Sequence, residues 1–527
     1  MRMIGSLPSF RYSRSPGLTL VAFGVVLLLG YEAGQLVLEG DVSALVMSGM
    51  AFVGLAVVVA ILNDWRRGLY LLLGWILFED LFRKYLGNNM AIFFTKDVLT
   101  IVLYIAFFAD RRNRLVKKFK PPFLIPLLIF VWFGMIQMFN PASSSIFYGI
   151  LGMKVYFLYI PLIFVGYSLI ESEQDLRKLF MFLTVLFLIV ASLGIAQSIL
   201  GPKFLNPTVL QEDIRELSTL YRISPITGVT AYRPNGIFAS AGRFENFLNI
   251  AWVMALGFGG YLLLRNRRGR TLTFLTIAVI GVASIMSTSR GVFMYNAISA
   301  IIIVAAFLWG APWRQGEARQ ILRAIQRTLL FVGLAILLMM SVFPDEISSR
   351  FVIYSETLSP DSPRSELVFR AHEYPLRNLM LAFEHERWPY GYGIGTSTLG
   401  VQYVSRIMHA PPMGIGVESG YGQLVVELGV LGLLLWIFLS IAISVSAWKI
   451  ANRLRGTPWF PLAFVIFWYA FLLLGPKAYI SFINYQDYLM NSYLWILLGI
   501  LFRLPQLAQE TIQIEASATL AAANGQA

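Results

Sequence analysis

A chain of 527 residues that is 57% hydrophobic and only 13% charged, with 40 Phe, 24 Tyr and 12 Trp, is too apolar for an ordinary soluble domain. Its apolar residues fall in blocks of about 20, the length that crosses a hydrocarbon core of about 30 Å as a helix; barrel strands would alternate in short segments instead. The net charge of +13 has a topological explanation that needs no nucleic-acid partner, and the absence of cysteine excludes disulfides, thiolate metal sites and a cysteine nucleophile.

Arg2, Arg11 and Arg14 precede the first apolar block at 17–36, which is longer than a signal h-region and lacks a small-residue cleavage site. It reads as an uncleaved signal anchor. Further spans are expected at 43–62, 68–86, 92–109, 121–139, 148–169, 179–199, 246–264, 271–288, 291–309, 328–343, 421–447, 457–475 and 486–503. The expected fold is therefore an all-α polytopic membrane protein of about 12–14 transmembrane helices, a single transmembrane domain over 1–503. Within the span at 68–86, Glu79, Asp80, Arg83 and Lys84 are expected to pair among themselves. The tail 505–527, rich in Ala and Gln, reads as disordered.

Lys and Arg set the orientation. The runs at 111–120, 265–270, Arg314 to Arg327 and Lys449 to Arg455 share one side if the N-terminus is cytoplasmic. The short opposite loops 37–42 and 140–146 carry neither residue. Both termini, and the tail, are then cytoplasmic, and two long loops, 200–245 and 344–420, face outside. Long loops of this kind are usually functional. In the second, PLRNLMLAFEHERW (375–388) has Pro375 in a first-turn position and Leu376, Met380 and Phe383 on one face, the pattern of a short helix lying along the membrane.

All three histidines, His372, His385 and His409, lie in the larger outer loop, among several arginines. Guanidinium forks bind phosphate oxygens bidentately, so a basic, aromatic vestibule suits a phosphate-bearing lipid; pairing with loop carboxylates and headgroups is the plainer reading of any one arginine. Arg290 stands apart, because MSTSRGVFMYN has apolar runs directly on both sides. Arg233 and Arg243, in YRPNGIFASAGRFENFLN, approach the membrane from the same side. In WPYGYGIGTSTLG (388–400), Gly391, Gly393 and Gly395 let backbone approach a ligand closely. No HExxH, GxSxG or phosphate-loop signature occurs, and three scattered histidines make no metal site.

In order, these segments are RPNGIFASAGRFENFLN, SRG between two spans, YGYGIGTST, and ESGYGQLVVELGVLGLLL. They resemble the O-antigen ligase and polymerase superfamily over roughly residues 230–440. That resemblance implies a helical bundle with affinities to the C-type glycosyltransferases. It also implies an undecaprenyl-diphosphate-linked glycan as donor, an acceptor glycan, no cofactor, and polysaccharide assembly proteins as further partners. It carries diphosphate binding to Arg290, Arg233 and Arg370, with Arg243 beside them. The ligases typically place a His-Asn pair where this chain has Glu418-Ser419. A buried carboxylate can take the acceptor's proton instead, so Glu418 is the candidate base and His409 the other. Tyr421, Gln423 and Tyr392 are candidate glycan contacts. The expected function is a glycan polymerase or ligase of exopolysaccharide or O-antigen assembly. The alternatives are a lipopolysaccharide O-antigen ligase proper and a lipid-linked glycan transporter, the latter weakened by the lack of an internal repeat.

Overall fold

The structure is a computed structural model that describes residues 42–86, 90–110, 119–207, 220–265, 268–310, 340–359, 369–408 and 416–524, with isolated positions between 312 and 338. The expected signal anchor at 17–36 lies outside the described residues, as does much of the expected span 328–343. In chain order the helices begin with α1 (Val42–Asn63), α2 (Trp65–Tyr85), α3 (Met90–Ala109), α4 (Leu124–Met138), α5 (Ile146–Phe157), α6 (Leu162–Leu169) and α7 (Glu173–Leu200). A two-stranded hairpin, β1 (Tyr221–Ile223) and β2 (Thr230–Tyr232), precedes α8 (Ala241–Leu264), α9 (Arg270–Met286), α10 (Arg290–Gly310) and α11 (Pro344–Leu358). The last part holds α12 (Tyr374–Glu384), α13 (Val401–Met408), α14 (Gly420–Arg453), α15 (Phe460–Leu472), α16 (Ala478–Ile480), α17 (Ile483–Gln486) and α18 (Tyr488–Asn524). One-turn π-helices stand at Phe369–Glu373 and Leu473–Lys477.

Among the described residues eight helical stretches are long and apolar enough to cross a membrane: Ile92–Ala109, Ile146–Leu169, Glu173–Leu200, Ala241–Leu264, Arg290–Gly310, Gly420–Arg453, Phe460–Ile480 and Tyr488–Thr511. The chain is thus a mostly helical, multi-pass membrane protein. Three expected spans form helices that miss that standard for visible reasons. The second half of α2 carries Glu79, Asp80, Arg83 and Lys84. α4 has 15 residues and α9 has 17, fewer than a perpendicular crossing needs. The expected short helix at 375–388 is α12, with Pro375 in its first turn.

The chain divides into two compact units. The first comprises Met1–Leu73 and Val98–Arg111. In it the Trp65 ring meets Phe107 edge-on at 5.0 Å, and its indole N–H donates to Asp110 at 3.1 Å. The second comprises Gly74–Asp97 and Arg112–Ala527 and contains every candidate residue. Its helices pack closely through small residues: a Cβ on Gly166 of α6 would meet the Ile496 carbonyl at 2.2 Å, and one on Gly499 of α18 would meet the Ile163 carbonyl at 2.1 Å. Only glycine permits that approach. The tail expected to be disordered from 505 is instead helix through Asn524. Its Ala, Gln, Glu and Leu are strong helix formers, and Arg503, paired with Glu510 at 3.1 Å, ties the segment to buried Leu507 and Ala508.

Arg350 of α11 is wholly buried and joins three elements. It donates to the Met286 carbonyl at the end of α9 (3.2 Å), to Ser198 Oγ of α7 (2.7 Å) and to the Tyr232 carbonyl of β2 (3.4 Å), and it pairs with Glu346 at 2.8 Å. On the hairpin's turn, Glu356 accepts from Ser224, Thr227 and the backbone N–H groups of Ile226 and Thr227. Partial desolvation works the other way, but these hydrogen bonds hold the Glu356 carboxyl below its ordinary range. Removing Arg350 takes a charged donor from three buried oxygens, although the Met286 carbonyl keeps Ser198 and the Tyr232 carbonyl keeps Thr288. Each such loss costs about 1–3 kcal/mol, so Arg350→Ala is expected to lower the thermal unfolding midpoint clearly in lipid nanodiscs. An unchanged midpoint would show that the arginine holds nothing together.

Candidate functional site

The glycine-rich stretch 388–400 lies against α14, and that helix is broken to receive it. Gly429 adopts φ +71°, which interrupts the helical ladder and frees carbonyls for other partners. Tyr392 and Gly393 donate backbone N–H groups to the carbonyls of Val426 (2.8 Å) and Glu427 (2.9 Å), and Val430 N–H donates to Trp388 (3.1 Å). The glycines therefore approach this chain's own backbone, where a ligand was expected. A Cβ on Gly391 would sit 2.5 Å from the Glu427 carbonyl, and one on Gly395 would sit 1.9 Å from the Tyr148 carbonyl.

The Glu427 side chain is fully buried beneath this loop. Its carboxylate accepts from Tyr156 Oη (2.8 Å), Gly395 N–H (3.1 Å), Ser397 N–H (2.9 Å) and Gln423 Nε2 (3.4 Å). Gln423 also donates to the Ser397 carbonyl at 2.8 Å, so both its contacts serve the loop. Tyr392 is half-buried, its ring edge-on to His385 at 6.4 Å.

A second construction lies where several helix ends meet. Asp80 of α2, fully buried, holds Arg243 at the start of α8, whose Nη1 donates to both carboxylate oxygens (2.9 and 2.7 Å), and also accepts from Ala239 N–H (3.0 Å). Arg83 reaches Asp80 at 3.5 Å, Lys84 donates to the Gly236 carbonyl (2.8 Å), and Glu79 pairs with Lys96 of α3 at 2.9 Å. The charges at 79–84 thus pair mainly with distant partners; the expectation of pairing among themselves holds only for Asp80 and Arg83. Beside them Lys154 meets Asp97 at 2.5 Å, and Tyr159 donates to the same carboxylate at 3.0 Å. Arg243 reaches further, to Asp487 ahead of α18 at 3.7 Å.

These contacts place most of the predicted cations together. Thr288, in the positive-φ turn before Arg290, donates to the Tyr232 carbonyl at 2.8 Å, which sets the start of α10 beside Arg233. Arg233 pairs with Glu245 at 2.6 Å. Arg290 is half-buried at the first position of α10. The start of α14 joins the same end of the unit through Ser419, whose hydroxyl donates to the Tyr479 carbonyl at 3.4 Å, and through Tyr421, edge-on to Tyr479 at 5.4 Å. Tyr479 lies two residues beyond Lys477, whose ammonium sits 4.7 Å from the Tyr295 ring of α10. So Arg233, Arg243, Arg290, Glu418 and Tyr421 all stand on segments that meet at one end.

Glu418 itself is exposed, accepts from the Tyr374 hydroxyl, and has its backbone N–H bound to Asn378 at 3.2 Å. The burial that the proton-transfer argument asks of it is found at Glu427 instead. Arg370 falls in the π-helix Phe369–Glu373, and His409 lies outside the described residues. Among the described residues no cluster of His, Asp and Glu is placed to hold a metal ion. No protein-family model matches the chain, and no curated protein matches it. Two residues of this end escaped the sequence reading. Asp80 was read as a local partner, and Lys477 was passed over although a lone charge after Gly475-Pro476 in an apolar run was its signal.

The clamp makes a direct prediction. In Glu427→Gln the amide N–H₂ would replace one carboxylate oxygen and face the one backbone donor and the one side-chain donor that now point at it, so two hydrogen bonds are lost. The variant should unfold at lower temperature and be cut faster by protease within 388–400, with Tyr156→Phe showing a smaller effect. Equal cutting of wild type and Glu427→Gln would refute the clamp.

Proposed function

We propose that the protein is an inner-membrane glycan polymerase or ligase. It would transfer a glycan from an undecaprenyl-diphosphate donor to an acceptor sugar hydroxyl at the outer, periplasmic face, in exopolysaccharide or O-antigen assembly. The observation that carries this reading is the meeting, at one end of the helical unit, of Arg233, Arg243 and Arg290 with the segment bearing Glu418 and Tyr421. Lysine and arginine runs that share the opposite side of the expected topology support an outward position of this end, with both termini cytoplasmic. The helical architecture is compatible with a C-type glycosyltransferase.

The chemistry asks for a cationic clamp and one base. The acceptor oxygen attacks the anomeric carbon as the bond from that carbon to the phosphate oxygen breaks, inverting the centre. The departing diphosphate takes the bonding pair, and fixed cations offset its growing charge. The acceptor's proton passes to the Glu418 carboxylate. Within the clamp the arginines are unequal. Arg243 is held by Asp80 on two hydrogen bonds and Arg233 by Glu245, which fixes their positions, and Arg290 stands at the start of α10 as the third cation of the clamp. A bound acceptor would exclude water from the exposed Glu418 carboxylate.

One observation favours a lipid-linked glycan transporter as the second reading. Glu79–Lys96, Asp80–Arg243 and Asp97–Lys154 are charge pairs within helices of the bundle, the residue class that transporters use.

A reconstituted assay separates the readings. Purified protein in lipid is given undecaprenyl-diphosphate oligosaccharide, and the products are sized. Longer glycans with release of undecaprenyl diphosphate indicate a polymerase, and transfer to lipid A core indicates a ligase. Movement of the donor between leaflets without turnover would refute the enzyme. Glu418→Gln should lose at least 100-fold in turnover, the scale of a general base, with donor affinity retained; near-normal turnover would remove Glu418 from the mechanism. Arg290→Ala should weaken donor binding, and unchanged affinity would remove it from the clamp.

A further inference from the structure

At the end of α14 opposite Glu418 the chain gathers charge of one sign. Lys449 and Arg453 are exposed on its last turns, and Arg455 is exposed just beyond them. The sequence has no Asp or Glu between Glu427 and Asp487, nor between Glu245 and Glu317. Neither α15 nor α10 therefore carries a carboxylate, and α14 has none beyond Glu427. Glu173, which approaches this end through Arg265 beside Trp459, is taken by that arginine at 2.6 Å. Among the described residues no ion pair answers Lys449, Arg453 or Arg455. Like charges so placed repel one another, and an anion from outside the chain relieves them.

The surface beside these cations is held in place. Gly456, at φ +76°, donates its N–H to the Gly310 carbonyl at the end of α10 (2.7 Å), which pins the turn after α14 to that helix. The pin sets the Arg455 guanidinium 3.9 Å from the centre of the Trp309 ring. Trp309 in turn stacks on Trp448 of α14, with centroids 5.9 Å apart and planes 8° from parallel. Stacking occupies a face of the guanidinium and leaves the N–H groups at its edge for oxygen. Both indoles remain open, Trp309 at 46% and Trp448 at 36% exposed. Deeper along α14, Leu434, Phe438, Ile441 and Val445 are exposed at steps of four and three, one apolar face that ends at Trp448. Lys449 and Arg453 follow Val445 at steps of four, so the apolar strip runs directly into the cations.

We propose that this end of α10 and α14 is a binding site for one anionic phospholipid, its phosphate on the edge of Arg455 and the flanking Lys449 and Arg453, and an acyl chain along the strip. The continuity of strip and cations decides the ligand class. A soluble polyanion would use the cations and leave the strip bare, and a zwitterionic lipid would bring a positive charge of its own to them. An anionic headgroup on an acyl chain answers both. The expected topology puts this end at the cytoplasmic face, where anionic headgroups attract basic residues beside a span. Arg290 begins α10 and Trp309 lies at its other end, so the site is separate from the proposed clamp and does not depend on the transfer reading.

The test titrates the full chain in detergent with phosphatidylglycerol or phosphatidylcholine and counts bound lipids by native mass spectrometry. Wild type should hold one phosphatidylglycerol in clear preference to phosphatidylcholine. A basic residue beside an anionic headgroup contributes about a fivefold gain, so Arg455→Gln should weaken that lipid about fivefold and Lys449→Gln/Arg453→Gln/Arg455→Gln about 100-fold. Arg455→Lys keeps the charge without the fork and should recover only part of the loss. All three side chains are exposed, so the unfolding midpoint in phosphatidylcholine nanodiscs should not change, which separates lost binding from lost folding. Glycerol phosphate, a headgroup without chains, should fail to displace the lipid at equal concentration. Displacement would overturn the lipid assignment in favour of a plain phosphate site. The triple variant holding phosphatidylglycerol as wild type does, or wild type binding the two lipids alike, overturns the proposal.

Discussion

A charge withdrawn from water has to be answered by another charge or by several hydrogen bonds, and this constraint arranges the larger unit. Asp80 has no exposed surface, and its answer comes from Arg243, more than one hundred and sixty residues away in sequence. That pairing fixes the start of α8 to α2, and Ala239 N–H and the Lys84–Gly236 contact fix the turn before it. The same necessity pairs Glu79 with Lys96 and Lys154 with Asp97. Buried pairs of this kind contribute little net stability over well-packed apolar groups, but breaking one is costly, so they specify which helix ends stand together. Here they fix the segment RPNGIFASAGRFENFLN, through Arg243, to α2.

Glu427 shows the same constraint met without a cation. Four donors, two from side chains and two from backbone amides, surround its carboxylate. The glycines of 388–400 exist to let those amides arrive, since any Cβ on Gly395 would collide with the Tyr148 carbonyl. Glu418 and Glu427 therefore differ in kind although nine positions separate them. The buried one is saturated and has no free lone pair to give a substrate. The exposed one has water and a single tyrosine hydroxyl, and is free to act on whatever displaces that water.

Hydropathy made the helices legible because length and apolarity are local properties. The span positions at 92–109, 148–169, 179–199, 246–264 and 291–309 each overlap an observed crossing stretch within a few residues. What failed to show was partnership. FEDLFRK carries four charges that satisfy one another on paper, and nothing local reveals that Arg243 outcompetes Arg83 for Asp80 by setting one guanidinium nitrogen against both carboxylate oxygens. The tail misled for a related reason: its polar composition suggested disorder, but it is also strongly helix-forming and begins as the continuation of a buried helix.

The clamp and the helix-end cluster are mechanically one object. Glu427 holds the glycine-rich loop, and through it the kink at Gly429, which sets the direction of the first turns of α14. Those turns lie directly on the π-helix segment, where a Cβ on Gly420 would stand 1.8 Å from the Ala478 carbonyl. Ala478 follows Lys477. A shift of the loop would thus be felt at α14's start, bearing Glu418 and Tyr421, and at the lysine beside it, with no slack between them. Rigid spacing of a base from a cationic clamp is what an in-line displacement requires, because a misplacement of about 1 Å can cost roughly 100-fold in rate. In the proposed transfer reaction this hydrogen-bonded support would hold the exposed Glu418 carboxylate at a set distance from the charges of the bundle.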